Sequence, residues 1–177
     1  PGIAVASRCP ARVDGFPAVD LSVAELGHAE AIHRWTLVAR FGRDSPVIAF
    51  FRAFVASWNL TRLPTVSSIS CNAYAIHFLS REDFVKAWSR EVRLCGGWRF
   101  SLFRWSWDAH KGKDSPSAAV WVKLPGLPLP LLNLAILKSV ADSLGGFMCV
   151  DEDTSSFQPN LAPRMCVEVN LATALPD

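Results

Sequence analysis

The sequence predicts an α+β fold: a β-α-β-β-α-β unit followed by a β-α-β-β extension. Three observations point to it. Strand-like alternation, as in Trp35-Thr-Leu-Val-Ala-Arg-Phe41, gives way to apolar residues at helical spacing, as in Ile48, Phe51, Val55 and Trp58. Capping and turn residues, Ser45-Pro46, Ser80-Arg-Glu-Asp83, Gly96-Gly97 and Gly145-Gly146, fall between these stretches. The chain has 177 residues, 50% hydrophobic and 19% charged, enough for one large domain or two small ones sharing a core, and too apolar for a disordered chain.

Residues 1–31 are weakly patterned and read as a flexible N-terminal arm, with a short helix over 22–32. In 35–41 the strand alternation puts Trp35, Leu37, Ala39 and Phe41 on one face. Ser45-Pro46 is an N-cap followed by Pro at the first helical position, so a helix runs to about residue 59. Strands are expected over 63–71 and 72–79, the latter with Tyr74, Ile76 and Phe78 alternating with Ala75 and His77. Ser80…Asp83 opens a second helix as a capping box, with Phe84, Val85 and Trp88 inward. After the Gly96-Gly97 turn, 98–107 reads as a fourth strand.

The polar stretch 108–118 reads as a linker, and 119–177 as the extension packed on the unit at 32–107. The extension comprises a strand at 119–124, a Pro-rich connector at 125–130, a helix at 131–144 ended by Gly145-Gly146, and strands at 147–150 and 164–171 joined by a loop. The order of the first unit is the ferredoxin-like one, shared by RNA-recognition domains. Both helices then cover one face of a four-stranded sheet and leave the other open.

Charge and motifs narrow the function. The net charge of +2 hides an asymmetry: residues 1–114 carry 15 basic and 10 acidic groups, residues 115–177 three and six. Most of the basic residues are Arg, which suits planar contacts with phosphate and bases, so a polyanion partner is expected for the first half only. The five cysteines form no CxxC pair and fit a reduced intracellular protein. No apolar run approaches the roughly 20 residues of a membrane span, and residues 1–20 lack the order of a signal peptide. Pro1 in place of Met predicts a fragment of a longer reading frame. There is no P-loop, G-x-G-x-x-G or G-x-S-x-G, and the four histidines have no motif context, so neither an enzyme nor a cofactor is expected.

Several landmarks together resemble a known family. They are Trp35-Thr-Leu-Val-Ala-Arg-Phe-Gly with Pro46, Trp58, Tyr74-Ala-Ile-His-Phe78, Trp98 and Phe103-Arg-Trp105. More specific are Val120-Trp-Val-Lys-Leu-Pro-Gly-Leu-Pro128, Leu144-Gly, Val150-Asp-Glu-Asp-Thr154 and Cys166-Val-Glu-Val-Asn-Leu followed by Leu175-Pro176. Over 32–177 the chain resembles a plant domain of unknown function, family four-two-eight-three. That domain occurs in gag-like or first-open-reading-frame proteins of plant retroelements, upstream of a CCHC zinc knuckle. The resemblance implies a non-catalytic protein that packages or chaperones retroelement RNA, with a zinc knuckle downstream. This chain itself contains no CCHC pattern, so no metal site is expected in it.

The most suggestive segment is Trp98-Arg-Phe-Ser-Leu-Phe-Arg-Trp-Ser-Trp107. Alternation puts Arg99, Phe103, Trp105 and Trp107 on one face and Trp98, Phe100, Leu102 and Arg104 on the other. The expected nucleic-acid-binding set is Arg90, Arg93, Arg99 and Arg104 at phosphates, with Trp105, Trp107 and Tyr74 stacking on bases. His110-Lys-Gly-Lys113 reads as solvated linker charge, and Asp151-Glu-Asp153 as a solvated loop, since three consecutive acids do not converge on one ion. The partner expected is RNA or another single-stranded nucleic acid. The alternative is an assembly scaffold that self-associates through aromatic and Pro-rich surfaces and leaves nucleic acid to the knuckle.

Overall fold

A computed structural model of the chain describes residues 11–13, 15–155 and 162–173. Cys9, the middle of the loop between 151 and 163, and Leu175-Pro176 lie outside the described residues. The predicted arm contains a hairpin, β1 (Ala11–Val13) with β2 (Phe16–Ala18), and a helix, α1 (Val23–Ile32). Ser22 and Glu25 cap α1 reciprocally: the Ser22 side chain accepts the Glu25 N–H, and the Glu25 carboxylate accepts the Ser22 N–H at 2.8 Å.

The first body runs β3 (Thr36–Phe41), α2 (Ile48–Ala56), β4 (Thr65–Ser70), β5 (Ala73–His77), α3 (Arg81–Trp88), β6 (Leu94–Cys95) and β7 (Trp98–Arg104). Its sheet has the order β4-β5-β3-β7-β6 with every pairing antiparallel. Leu37, Ala39 and Phe41 of β3, Tyr74 and Ile76 of β5, and Phe100 and Leu102 of β7 share one face. They bury against Phe51 and Val55 of α2, Trp58 just beyond it, and Phe84 and Trp88 of α3. The period-two and helical patterns therefore meet where amphipathic elements must. Gly96-Gly97 makes the two-residue connection of the β6–β7 hairpin, both glycines at positive φ, as a primed turn requires.

Local chemistry shortens several predicted elements. Helix α2 begins at Ile48 with Val47 as its cap, because Ser45 Oγ donates to the Cys71 carbonyl and the Pro46 carbonyl accepts the Tyr74 hydroxyl. Half of the predicted capping box forms at α3. Ser80 Oγ accepts the Asp83 N–H, but the Asp83 carboxylate turns back to the preceding loop, where it accepts the N–H groups of Thr61 at 2.8 Å and Arg62 at 3.1 Å. Strand β7 ends at Arg104 rather than at residue 107.

The predicted linker is not a free connector, and the sheet face expected to stay open is partly covered by it. Residues 105–114 fold back over the sheet face opposite the helices, with a 3-10 turn at Ala109–Lys111. Ala109 packs on Val38 and Ala73, and Ile69 and Trp105 border that cluster. Arg40 anchors this strap through both Asp114 carboxylate oxygens, at 2.7–2.9 Å, and the Ala109 carbonyl.

The second body consists of β8 (Ser117–Lys123), α4 (Leu134–Leu144), β9 (Gly146–Val150), a short α5 (Glu152–Ser155) and β10 (Arg164–Asn170), with sheet order β8-β10-β9. It repeats the β3-α2-β4-β5 arrangement, with its last strand in the middle. Met165, Val167 and Val169 meet Leu137 and Ala141 of α4. Trp121, Met148, Cys149 and Cys166 pack against the first body instead. The turn from α4 into β9 passes so close to β10 that a Cβ on Gly145 would sit 2.2 Å from the Glu168 carbonyl oxygen.

Two stability predictions follow from these contacts. Gly145→Ala forces β9 away from β10 and lowers stability by about 1–3 kcal/mol in urea unfolding. At Asp83, burial pushes the carboxyl up, yet the Thr61 and Arg62 N–H donors prevail and hold it below its ordinary 3.8. Its contribution is therefore complete at neutral pH and is lost as pH falls below 3.8 and through the folded-state value. Asp83→Ala leaves two loop N–H groups unpaired, costs about 2 kcal/mol at pH 7, and flattens the acid limb of the stability–pH curve.

Candidate nucleic-acid interface

The expected basic-aromatic set divides sharply in the structure. Tyr74 lies on the helix side of the sheet, 6% exposed, stacked on Phe51 with its hydroxyl on the Pro46 carbonyl. Its parity with Ile76 puts it there, so its ring is not available for stacking on a base. Arg104 shares that face and is held in the junction between the two bodies. Its Nη1 donates to both Glu168 carboxylate oxygens, at 2.7 and 2.8 Å, and its guanidinium lies 5.6 Å over the Phe84 ring.

Arg93 and Arg90 are half-buried. Arg93 Nη2 donates to the Trp88 carbonyl at 2.5 Å, and burial pulls its guanidinium down to about 10, still charged at neutral pH. The Arg90 guanidinium covers the Trp58 ring at 5.3 Å. These two arginines close the end of the helical core and do not present a phosphate-binding row. Arg99 alone of the four is exposed, on the β6–β7 hairpin.

Trp105 and Trp107 do meet on the open side. They leave the end of β7 with ring centroids 5.2 Å apart, Trp105 half-buried and Trp107 47% exposed. His33, just past α1, lies against Trp105 with centroids 4.7 Å apart and planes tilted by 32°. Together with Thr36, Ser67, Ala75 and His110, they line a groove of about 440 Å³ between the sheet edge and the strap. Its polar rim is well defined. Thr36 Oγ1 and His77 Nδ1 are 2.9 Å apart across the β3–β5 pair, and His110 Nδ1 donates to the Trp107 carbonyl at 2.9 Å. Burial and the neighbouring His33 lower His77, so it stays neutral at neutral pH and serves as a hydrogen-bonding group.

Lys111 and Lys113 stand exposed on the strap, Lys111 paired with Asp108 at 2.9 Å. The lysines predicted as solvated linker charge are thus solvated, on the same strap that contributes Ser106 and His110 to the groove. Sequence reasoning missed His33, Thr36 and His77. Thr36 and His77 were findable as partners on one sheet face, whereas His33 falls between the arm at 1–31 and the strand signal that starts at Trp35, where no periodicity places it. The acids at 151–153 lie apart from the groove, and among the described residues no group of three or more His, Cys, Asp or Glu side chains is placed to hold a metal ion. Among the described residues, no helix is long and apolar enough to cross a membrane.

Comparison with family models, curated proteins and solved structures finds no match to this chain. The assignment of function therefore rests on the chemistry of the groove and on the sequence.

The Arg104 contact generates a prediction separate from ligand binding. Arg104→Ala and Glu168→Ala each destabilise the junction by about 1 kcal/mol, a partly exposed pair being screened by solvent. The double variant costs less than the sum of the two, as a urea-unfolding cycle will read.

Proposed function

We propose that the chain is a non-catalytic module that binds single-stranded nucleic acid, RNA in the first instance, through the groove between the strap and the sheet face opposite the helices. The observation that carries this reading is the pairing of Trp105 with the exposed Trp107 in a groove that His33 and His110 also line, on a strap that carries the exposed Lys111 and Lys113. Aromatic rings beside solvated cations are what a single strand needs: stacking on bases and neutralisation of phosphates. The strand order and the placement of both helices on one face support a ferredoxin-like, RNA-recognition-like assignment of residues 32–107. The stacking surface differs from that of RNA-recognition domains, because the expected open face is closed over Val38 and Ala73 by the strap and the tryptophans come from beyond β7. The sequence resemblance supports a packaging or chaperone role in a plant retroelement-derived protein.

A second reading, self-association, is favoured by the exposed leucines at the start of α4, Leu129, Leu131 and Leu134. The two readings separate in one experiment, a salt titration of binding between the chain and a labelled single-stranded RNA. Binding is expected to weaken steeply with salt. Trp107→Ala should lower affinity by roughly 1–3 kcal/mol, and Lys113→Ala should reduce the salt slope by about one. Tyr74→Phe and Arg104→Ala should leave affinity unchanged. No binding at low salt, or binding indifferent to Trp107, sinks the nucleic-acid reading; concentration-dependent mass that Leu131→Lys abolishes then supports the scaffold.

A further inference from the structure

The junction between the bodies holds a thiol pair that the nucleic-acid reading does not use. Cys149 on β9 and Cys166 on β10 are direct cross-strand partners. The register slips just beyond them, between Cys166 and Val167, so that Met148 is the extra residue of a bulge and shares their side of the sheet. Cys166 is fully buried, with Met148 Sδ 3.9 Å from its Sγ. Cys149 is half-buried and lines a cleft of about 640 Å³ between α3 and the second sheet, with Arg81, Lys86, Ser89 and Asp151 around it.

We propose that Cys149 is a hydroperoxide-reactive thiol, with Cys166 behind it as the resolving thiol, and that the pair closes to an intramolecular disulfide across β9 and β10. Three features carry the proposal. The cleft gives a small peroxide access to Cys149 but not to Cys166. The pairing sets the two Cα atoms roughly 4.5–5.5 Å apart, within the span a disulfide bridges. The surroundings favour the thiolate on the accessible member. Hydrogen bonds from the Cys166 thiol and Ser89, with the Arg81 charge, lower Cys149 against its burial and the Asp151 carboxylate. The same hydrogen bond and burial raise Cys166, keeping its proton in place.

In the first step the Cys149 thiolate attacks one peroxide oxygen. The O–O bond breaks, a sulfenic acid forms on Cys149 Sγ, and hydroxide leaves and takes up the proton Cys149 had released. In the second step Cys166 Sγ attacks the sulfenic sulfur. The S–S bond forms, the S–O bond breaks, and water leaves carrying the Cys166 proton. The two thiols are oxidised together by two electrons and one hydroperoxide is reduced, to two waters in the case of hydrogen peroxide. The bridge locks β9 to β10 beside the Trp121 contact, so oxidation stiffens the sheet that docks on α3.

The test uses the reduced full chain treated with one equivalent of hydrogen peroxide, followed by thiol counting and peptide mass spectrometry. The expected result is loss of two thiols as a Cys149–Cys166 disulfide that dithiothreitol reverses. In Cys166→Ser, dimedone should trap a sulfenic acid on Cys149. In Cys149→Ser, peroxide consumption should slow by about tenfold. Because the mapped bridge in the unmodified chain needs no variant, a misfolded Cys166→Ser does not rescue or sink the idea. Oxidation confined to Cys9, Cys71 or Met148, with Cys149 and Cys166 still reduced, overturns it.

Discussion

Strand β3 is buried on both faces, and the rest of the first body is arranged around that requirement. Leu37, Val38 and Ala39 are consecutive and fully buried, so their side chains, which point alternately up and down, both need cover. Helices α2 and α3 cover one side with aromatic rings. The strap at 105–114 covers the other, and Arg40, at the end of the same strand, ties it down through Asp114. Burying an isolated guanidinium is costly, and the bidentate carboxylate with the Ala109 carbonyl offsets that cost. The groove beside Trp105 exists because the strap leaves the sheet at this point and covers only its centre.

Much of this was legible in the chain. The alternation in 35–41 and 98–104 grouped the residues that share a face, without deciding which face of 98–104 is inward, and Gly96-Gly97 and Gly145-Gly146 fell where the backbone turns. Elements joined by short loops were found because their signals are local. What escaped depends on partners distant in sequence. Arg40 is 74 residues from Asp114, Arg104 is 64 from Glu168, and nothing near either arginine announces its acid. A basic segment reads as a phosphate-binding row until those partners appear. Tyr74 is a different case: its parity with Ile76 already placed it inside, against its expected role as a ring that stacks on bases.

The candidate site was legible only in part. Trp105 and Trp107 were picked out by composition, but their setting comes from His33 beyond α1 and from the fold-back of a stretch that reads as linker. Polar composition describes solvent preference and does not report whether a segment also supplies a small apolar residue, here Ala109, to plug a gap in a sheet.

Among the described residues the two bodies share no backbone ladder: each sheet closes within one contiguous stretch of chain. They are joined by side chains, among them Arg104 with Glu168, Arg164 with Glu91, the Trp121 indole N–H on the Ser89 carbonyl, and Met148 and Cys166 packed into the first core. Each half can therefore complete its backbone ladders without the other, and the cooperativity of the whole chain depends on that side-chain seam.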